Sequence, residues 1–174
     1  MKKNLENRPN IQVFHNALTD SEMDLIFYEF PVLYSEYNTL HVAQFEHEKW
    51  FKKFQPIENT VKGITLDAVF EKFALKNTVI KIDTEGAEAQ VIAGARAVLA
   101  HQNLVIIMEF LTDINKNEGH HQAFTMLIEA GFNAYFIEKN GEISILIDIE
   151  MYFLNHPSES DNFVFIKNTQ ISDK

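Results

Sequence analysis

The chain has 174 residues, 46% of them hydrophobic with 15 phenylalanines, and a formal net charge of −10. That is enough for one domain with a substantial core, and the wrong sign for a nonspecific nucleic-acid binder, whose phosphate contacts need a basic surface. The absence of cysteine excludes disulfides, a thiolate nucleophile and a zinc–thiolate site, and is compatible with a reducing compartment such as the cytoplasm. Residues 1–10 carry lysines with no apolar stretch behind them, and no run approaches the ~20 apolar residues that cross a bilayer. A soluble protein without membrane partners is expected.

Residues 11–18 are predicted as a strand with Ile11, Val13 and His15 on one face, ending at Asn16-Ala17-Leu18 before the turn-like Thr19-Asp20-Ser21-Glu22. Residues 23–30 read as a second strand. From 31 to 56 periodicity is lost while aromatics stay dense, with Tyr34, Tyr37, Phe45, Trp50, Phe51 and Phe54. An irregular insertion of this kind is either a functional lid or an excursion packed on the domain. It holds His41, His47 and the run Glu46-His47-Glu48-Lys49 but no His pair at helix-face spacing, so a solvated segment is favoured and no metal ligand is assigned.

Thr65 reads as the N-cap of a helix whose stripe is Leu66, Val69, Phe70 and Phe73, running to about Leu75. Residues 79–110 then form the organising unit. An apolar run ending in Asp83 and Glu85, an alanine-rich helix with Val91, Ile92, Ala95, Val98 and Leu99 on one face, and a second apolar run ending near Glu109 suit strand, crossover helix and parallel strand within ~30 residues. Parallel neighbours lie about 4.8 Å apart and end at the same edge of the sheet, so Asp83, Glu85 and Glu109 are predicted to meet there. Ligands of open α/β sheets bind at that edge. Gly86 permits a sharp turn. The same acids would also serve as plain caps favouring the helix dipole, and both readings stand on residue types alone. Lys81 shares a strand face with Asp83 and can pair with it or reach solvent.

Residues 111–119 suit a loop over the ligand edge. A helix is predicted over 120–130 with Phe124, Leu127 and Ile128 inward and Gly131 as its stop. His120 and His121 are adjacent, point in different directions and read as exposed helix-start residues. Residues 132–138 and 142–149 flank Lys139-Asn140-Gly141, a strong hairpin signal. Residues 162–167 form a last strand and 168–174 a tail, so antiparallel strands join the parallel pair in a mixed sheet.

The phrases Ile64-Thr65-Leu66-Asp67, Ile80-Lys81-Ile82-Asp83-Thr84-Glu85-Gly86-Ala87-Glu88, Val91-Ile92-Ala93-Gly94-Ala95 and Ile106-Ile107-Met108-Glu109 resemble the FkbM family of S-adenosylmethionine-dependent methyltransferases, with Asn16-Ala17-Leu18 similar to the end of its third strand and Gly131-Phe132 similar to its late G-Y. The resemblance spans residues 11–167 and implies an α/β fold with a Rossmann-like class I methyltransferase sheet of order 3-2-1-4-5-7-6, the seventh strand antiparallel. It implies a methyl donor, S-adenosylmethionine, bordered by Asn16, Ala17, Asp83 and Thr84. It implies Asp83, Glu85 and Glu109 as catalytic residues, with a hydroxyl of a small molecule or saccharide as acceptor.

The family's first strand, glycine-rich turn, helix and second strand have no counterpart before Ile11, and the six glycines, at 63, 86, 94, 119, 131 and 141, include no G-x-G pair. The expected fold is therefore a single truncated domain lacking the first two strands, in which residues 11–18 would face a gap two strands wide, about 10 Å or more. Three readings compete: the later portion of a methyltransferase whose N-terminal half is encoded elsewhere, a non-catalytic remnant or interaction module, and a metal site built on the rim acids for hydrolytic chemistry.

Overall fold

A strand exists only where a neighbour supplies the other half of its ladder, and the computed structural model, which describes residues 10–73, 76–112 and 118–167, has two separate sheets. In the first, β1 (Asn16–Leu18) lies parallel to the end of a later strand, β3 (Ile57–Ile64), whose other side pairs antiparallel with β2 (Asp24–Glu29). The strand expected over 11–18 is thus shorter. Only 16–18 meets a partner, and Ile11, Val13 and Phe14 stay exposed. The strand β3 was not expected, because Glu58, Lys62 and Gly63 dilute its alternation, and its pairing with β2 decides the conformation.

The main sheet follows. Its elements are α1 (Leu66–Phe70), β4 (Thr78–Ile82), α2 (Glu88–Ala93), α3 (Arg96–Leu99), β5 (Leu104–Leu111), α4 (Glu118–Glu129), β6 (Phe132–Ile137), β7 (Ile143–Ile145), α5 (Ile149–Asn155) and β8 (Ser160–Lys167), with strand order β4-β5-β8-β6-β7. β4 and β5 are parallel, as the βαβ pattern predicts, while β8 runs antiparallel to both β5 and β6. One face is the core. Leu104, Ile106, Met108 and Phe110 of β5 and Phe163 and Phe165 of β8 are buried against Val91, Ile92, Ala95, Val98 and Leu99 from the crossover and Ala123 and Leu127 from α4. Each such large side chain contributes roughly 1.5–3 kcal/mol.

The two-strand gap does not occur within the main sheet, because β1 belongs to the other one. Leu18 packs on the main core, and Gly94 lies so close to the small sheet that a Cβ there would sit 2.2 Å from the Thr19 carbonyl oxygen. That contact also helps to divide the crossover, expected as one helix, into α2 and α3. The Asp67 carboxylate accepts from Ala97 N at 3.0 Å and Val98 N at 2.9 Å, capping a new helix start, while Asp67 N donates to Gly94 O at 3.0 Å. Thr65 caps α1 as expected, its hydroxyl accepting from Ala68 N at 3.1 Å. The helix ends at Phe70 rather than near Leu75, which lies outside the described residues, and Phe73 is 39% exposed.

The corner between β4 and α2 is held by Glu88, whose carboxylate is fully buried. Its Oε1 accepts from Thr84 N at 3.0 Å and Thr84 Oγ1 at 2.8 Å, and its Oε2 accepts from Gly86 N at 3.1 Å. On its far side stands His120. The exposed position expected for that residue is corrected: it is 1% exposed, its Nδ1 donates to Glu109 O at 3.0 Å, and its Nε2 faces Glu88 Oε2 at 3.5 Å. The reason is helical phase. Within α4 the inward stripe is His120, Ala123 and Leu127, and Ile128, expected inward, is 43% exposed. Part of the loop expected over 111–119 and the tail 168–174 lie outside the described residues.

The hairpin forms about Asn140-Gly141, but the strand expected over 142–149 ends at Ile145 because Asp148 caps a helix, accepting from Met151 N at 2.9 Å. That helix, α5, was not expected. Its buried Tyr152 donates to Asp161 Oδ2 at 2.5 Å, fixing it to the start of β8.

Two substitutions test these joints. Glu88→Ala strips the acceptor from three donors and leaves a buried imidazole facing nothing, so urea denaturation should show a loss of about 3–5 kcal/mol; a loss below about 1 kcal/mol would mean that the corner holds itself. Gly94→Ala must push two backbones apart and should lower the urea midpoint by the equivalent of about 1–3 kcal/mol.

Candidate functional site

The pairing of β4 with β5 sets Ile82 opposite Met108, so the next residue along each chain, Asp83 and Glu109, emerges at the same rim. Glu85 joins them from the turn. Carboxylate oxygens of all three lie within 4.8 Å of one another. Lys81, one step back on the Asp83 face, places Nζ 3.1 Å from Asp83 Oδ2 and donates to Ile82 O at 3.2 Å. From β8, Ser160 Oγ donates to Glu109 Oε1 at 2.8 Å. Burial pushes the Glu109 carboxyl up from its ordinary value and the neighbouring Asp83 carboxyl adds to the rise, against the Ser160 hydrogen bond and the Lys81 charge.

Glu85 is held in an unusual backbone state. Its φ is 51°, left-handed for a residue with a side chain, which costs on the order of 1–2 kcal/mol, and Gly86 follows at φ 101°. The compensation comes from the aromatic insertion. Gln44 Nε2 donates to the Glu85 carbonyl at 2.7 Å and the buried Thr39 hydroxyl donates to it at 2.8 Å, while His41 N donates to Thr39 Oγ1 at 2.9 Å. From the other side α4 approaches so closely that a Cβ on Gly119 would lie 2.6 Å from Gly86 O.

The insertion, expected to be irregular over 31–56, connects the antiparallel β2 and β3 and contains two short 3-10 helices, Val32–Tyr37 and Val42–Phe45. Trp50 is its hub, 4.9 Å from the rings of both Tyr34 and Tyr37, 5.4 Å from Phe30 and 5.8 Å from Phe45. Phe30 and Phe45 are buried. This aromatic body faces the rim across a cleft of about 760 Å³, lined by Tyr37, Phe45 and Trp50 on one side and Glu85, Glu109 and Ser160 on the other. A cleft of this size accommodates a small organic molecule and sets carboxylates against it as proton acceptors.

The other predicted site residues lie elsewhere or are engaged. Asn16 and Ala17 stand in the small sheet, where Asn16 Nδ2 donates to Lys62 O at 3.2 Å. Thr84 gives both its N–H and its hydroxyl to Glu88, which leaves its carbonyl for other contacts. His41 turns to Gln90, its Nε2 3.1 Å from Gln90 Oε1, and His47 lies 4.0 Å from Glu48. Among the described residues, neither histidine belongs to a group able to share an ion, whereas Asp83, Glu85 and Glu109 have the oxygen donors and the spacing to approach a hard divalent cation. Sequence reasoning missed the roles of Thr39, Gln44, Glu88, His120 and Ser160. Glu88 alone had a signal, a carboxylate in the first turn after a glycine corner.

A family model, the methyltransferase FkbM domain, matches residues 3–158. No curated protein and no solved structure matches the chain. The match contains the small sheet, the insertion, the β4–α2 corner and all three rim carboxylates. With nearly its whole length matched, from the first strand to the helix before the last one, this chain belongs to the FkbM methyltransferase family.

Proposed function

We propose that this methyltransferase chain serves O-methylation of a hydroxyl on a sugar or natural product, with S-adenosylmethionine as donor, Glu85 and Glu109 at the reacting end of the cleft and Asp83 beside them at the rim. The observation that carries the reading is the meeting of three carboxylates within 4.8 Å at the ends of neighbouring parallel strands, two of which, Glu85 and Glu109, line a cavity of about 760 Å³. The rim suits the donor on charge grounds, since half-exposed carboxylates favour a sulfonium. Adenine and ribose contacts have weaker support, because the Asn16 amide and the Thr84 hydroxyl already have partners. S-adenosylmethionine supplies an activated methyl group when bound.

Everything else asked of the chain is alignment and proton handling. Glu109 is the general base in this reading: Ser160 orients it, and its raised proton affinity suits it to accept the acceptor hydroxyl's proton. Asp83 is kept in place by Lys81, and Glu85 is aimed by the insertion's hold on its carbonyl. The main sheet's order, β4-β5-β8-β6-β7 with β8 antiparallel, agrees with the second half of the family order 3-2-1-4-5-7-6 apart from the extra β7. Among the described residues β4 pairs only with β5, and its outer edge exposes Val79. A polypeptide carrying the glycine-rich cofactor turn would add its strand there.

Two measurements bear on this. NMR titration of the Glu109 carboxyl should give a midpoint above the ordinary 4.5, lowered in Asp83→Asn and raised in Ser160→Ala; transfer supported by Glu109 then falls as pH drops through that midpoint, the base being spent by its proton. An ordinary midpoint would remove Glu109 from the role. Calorimetry of the isolated chain with S-adenosylhomocysteine should show no measurable heat of binding. Micromolar affinity would mean that these residues form the cofactor site unaided.

A further inference from the structure

We propose that the chain associates with a second copy of itself through β7, the last strand of the main sheet, as a twofold dimer with Ser144 on the axis. The inference stands apart from the methyl-transfer reading. Among the described residues β7 pairs only with β6, and the phase of that ladder decides which backbone groups are left over. Glu138 N donates to Glu142 O and Leu146 N to Ala134 O, both at 2.8 Å, so Glu142, Ser144 and Leu146 direct their backbone groups at β6. Ile143 and Ile145 therefore turn theirs outward, to where a further strand would lie. Their side chains share a face with Ile137 of β6, and all three are between 44% and 56% exposed, with Ile147 next in line at 91%. From Ile143 to Ile147 the edge carries no charge, proline or glycine. Edges meant to stay open are blunted by such residues, as the opposite edge of this sheet is by Lys81 on β4.

Charge selects the occupant and its register. In a self-pairing, outward residues must face outward residues, which leaves few choices. Setting Ile145 against itself would bring Glu142 opposite Asp148 of the second copy, and like charges directly opposed are unfavourable. Setting Ile143 against itself would run the ladder into the Asn140-Gly141 turn. Setting Ile143 against Ile145 avoids both. Ser144 then faces its own equivalent, the isoleucines of the two copies cluster on one face, and about four backbone hydrogen bonds close between them. At either end the hairpin tip, with exposed Lys139, comes to the exposed Asp148 and Glu150 of the second copy, which are opposite in charge. An isologous contact closes at two copies, so the five-stranded sheet is doubled with β4 at both ends. Lys81 guards those ends, and the border where the cofactor-binding portion would add its strand stays free. The apolar area at stake, the exposed parts of Ile137, Ile143, Ile145 and Ile147, is small and suits a micromolar contact.

Sedimentation of the full chain should show a monomer–dimer equilibrium with a Kd of about 1–100 µM and no larger species. Ile145→Lys puts a like charge on each side of the axis and should weaken the dimer at least about tenfold, whereas Val32→Lys, at a 90% exposed site on the insertion, should leave it unchanged. Cross-linking reads the register, since the chain has no cysteine of its own. Ser144→Cys should give a covalent dimer on air oxidation, because residues opposed in a non-hydrogen-bonded pair have Cα atoms about 4.5 Å apart, within disulfide reach. Ile143→Cys should not, its equivalent lying two residues out of register, about 7–8 Å away. A monomer at about 500 µM, a dimer indifferent to Ile145→Lys, cross-linking at position 143 as readily as at 144, or growth into open-ended oligomers would each overturn the inference.

Discussion

The site depends on one buried anion. Glu88 sits in the first turn of α2 with no solvent access, and instead of pairing with a neighbouring arginine or lysine it spends its oxygens on the backbone and hydroxyl of residues 84 and 86 and on the imidazole of His120. A carboxylate in this position is tolerable only when donors converge on it. Here they converge from the end of β4 and from the turn, while the imidazole of His120 on α4 stands 3.5 Å away and reaches back to the Glu109 carbonyl on β5. One side chain thereby ties together every element that carries a rim carboxylate. The rim is braced from behind by these hydrogen bonds.

A second constraint acts from the front. Glu85 adopts a backbone conformation that residues with side chains avoid, and the insertion between β2 and β3 stabilises it by placing two donors on its carbonyl. The insertion can do so because it has a core of its own around Trp50, so Thr39 and Gln44 are presented by a packed body and not by a free loop. Local strain, aromatic packing and cleft shape are therefore coupled: loosening the aromatic cluster would also release Glu85.

Much of this was legible in the sequence where local pattern and tertiary contact agree. The apolar runs on either side of the crossover, the stripe from Val91 to Leu99, the Asn-Gly hairpin and the Thr65 cap all specify their structure within a few residues, and the meeting of Asp83 and Glu109 follows from strand geometry, with Glu85 added by the turn. What escaped depends on distant partners. β3 is a strand because β2 lies beside it; Asp67 caps a helix some thirty residues away; His120 is buried because it falls on the same face of α4 as Ala123 and Leu127. The short α5 was hidden by an isoleucine run that reads as strand until Asp148 interrupts it. Polar residues that act by receiving or giving one long-range hydrogen bond, such as Ser160 and Gln44, leave no periodic trace at all.

Lys81 has a consequence beyond its contact with Asp83. It projects from the outermost strand of the main sheet, two residues from Val79, which is 64% exposed. Open strands with bare apolar side chains invite self-association into fibrils, and an edge lysine is a common safeguard, since stacking like charges against one another is unfavourable. This amine therefore does a second job as a gatekeeper, discouraging the border from templating copies of itself.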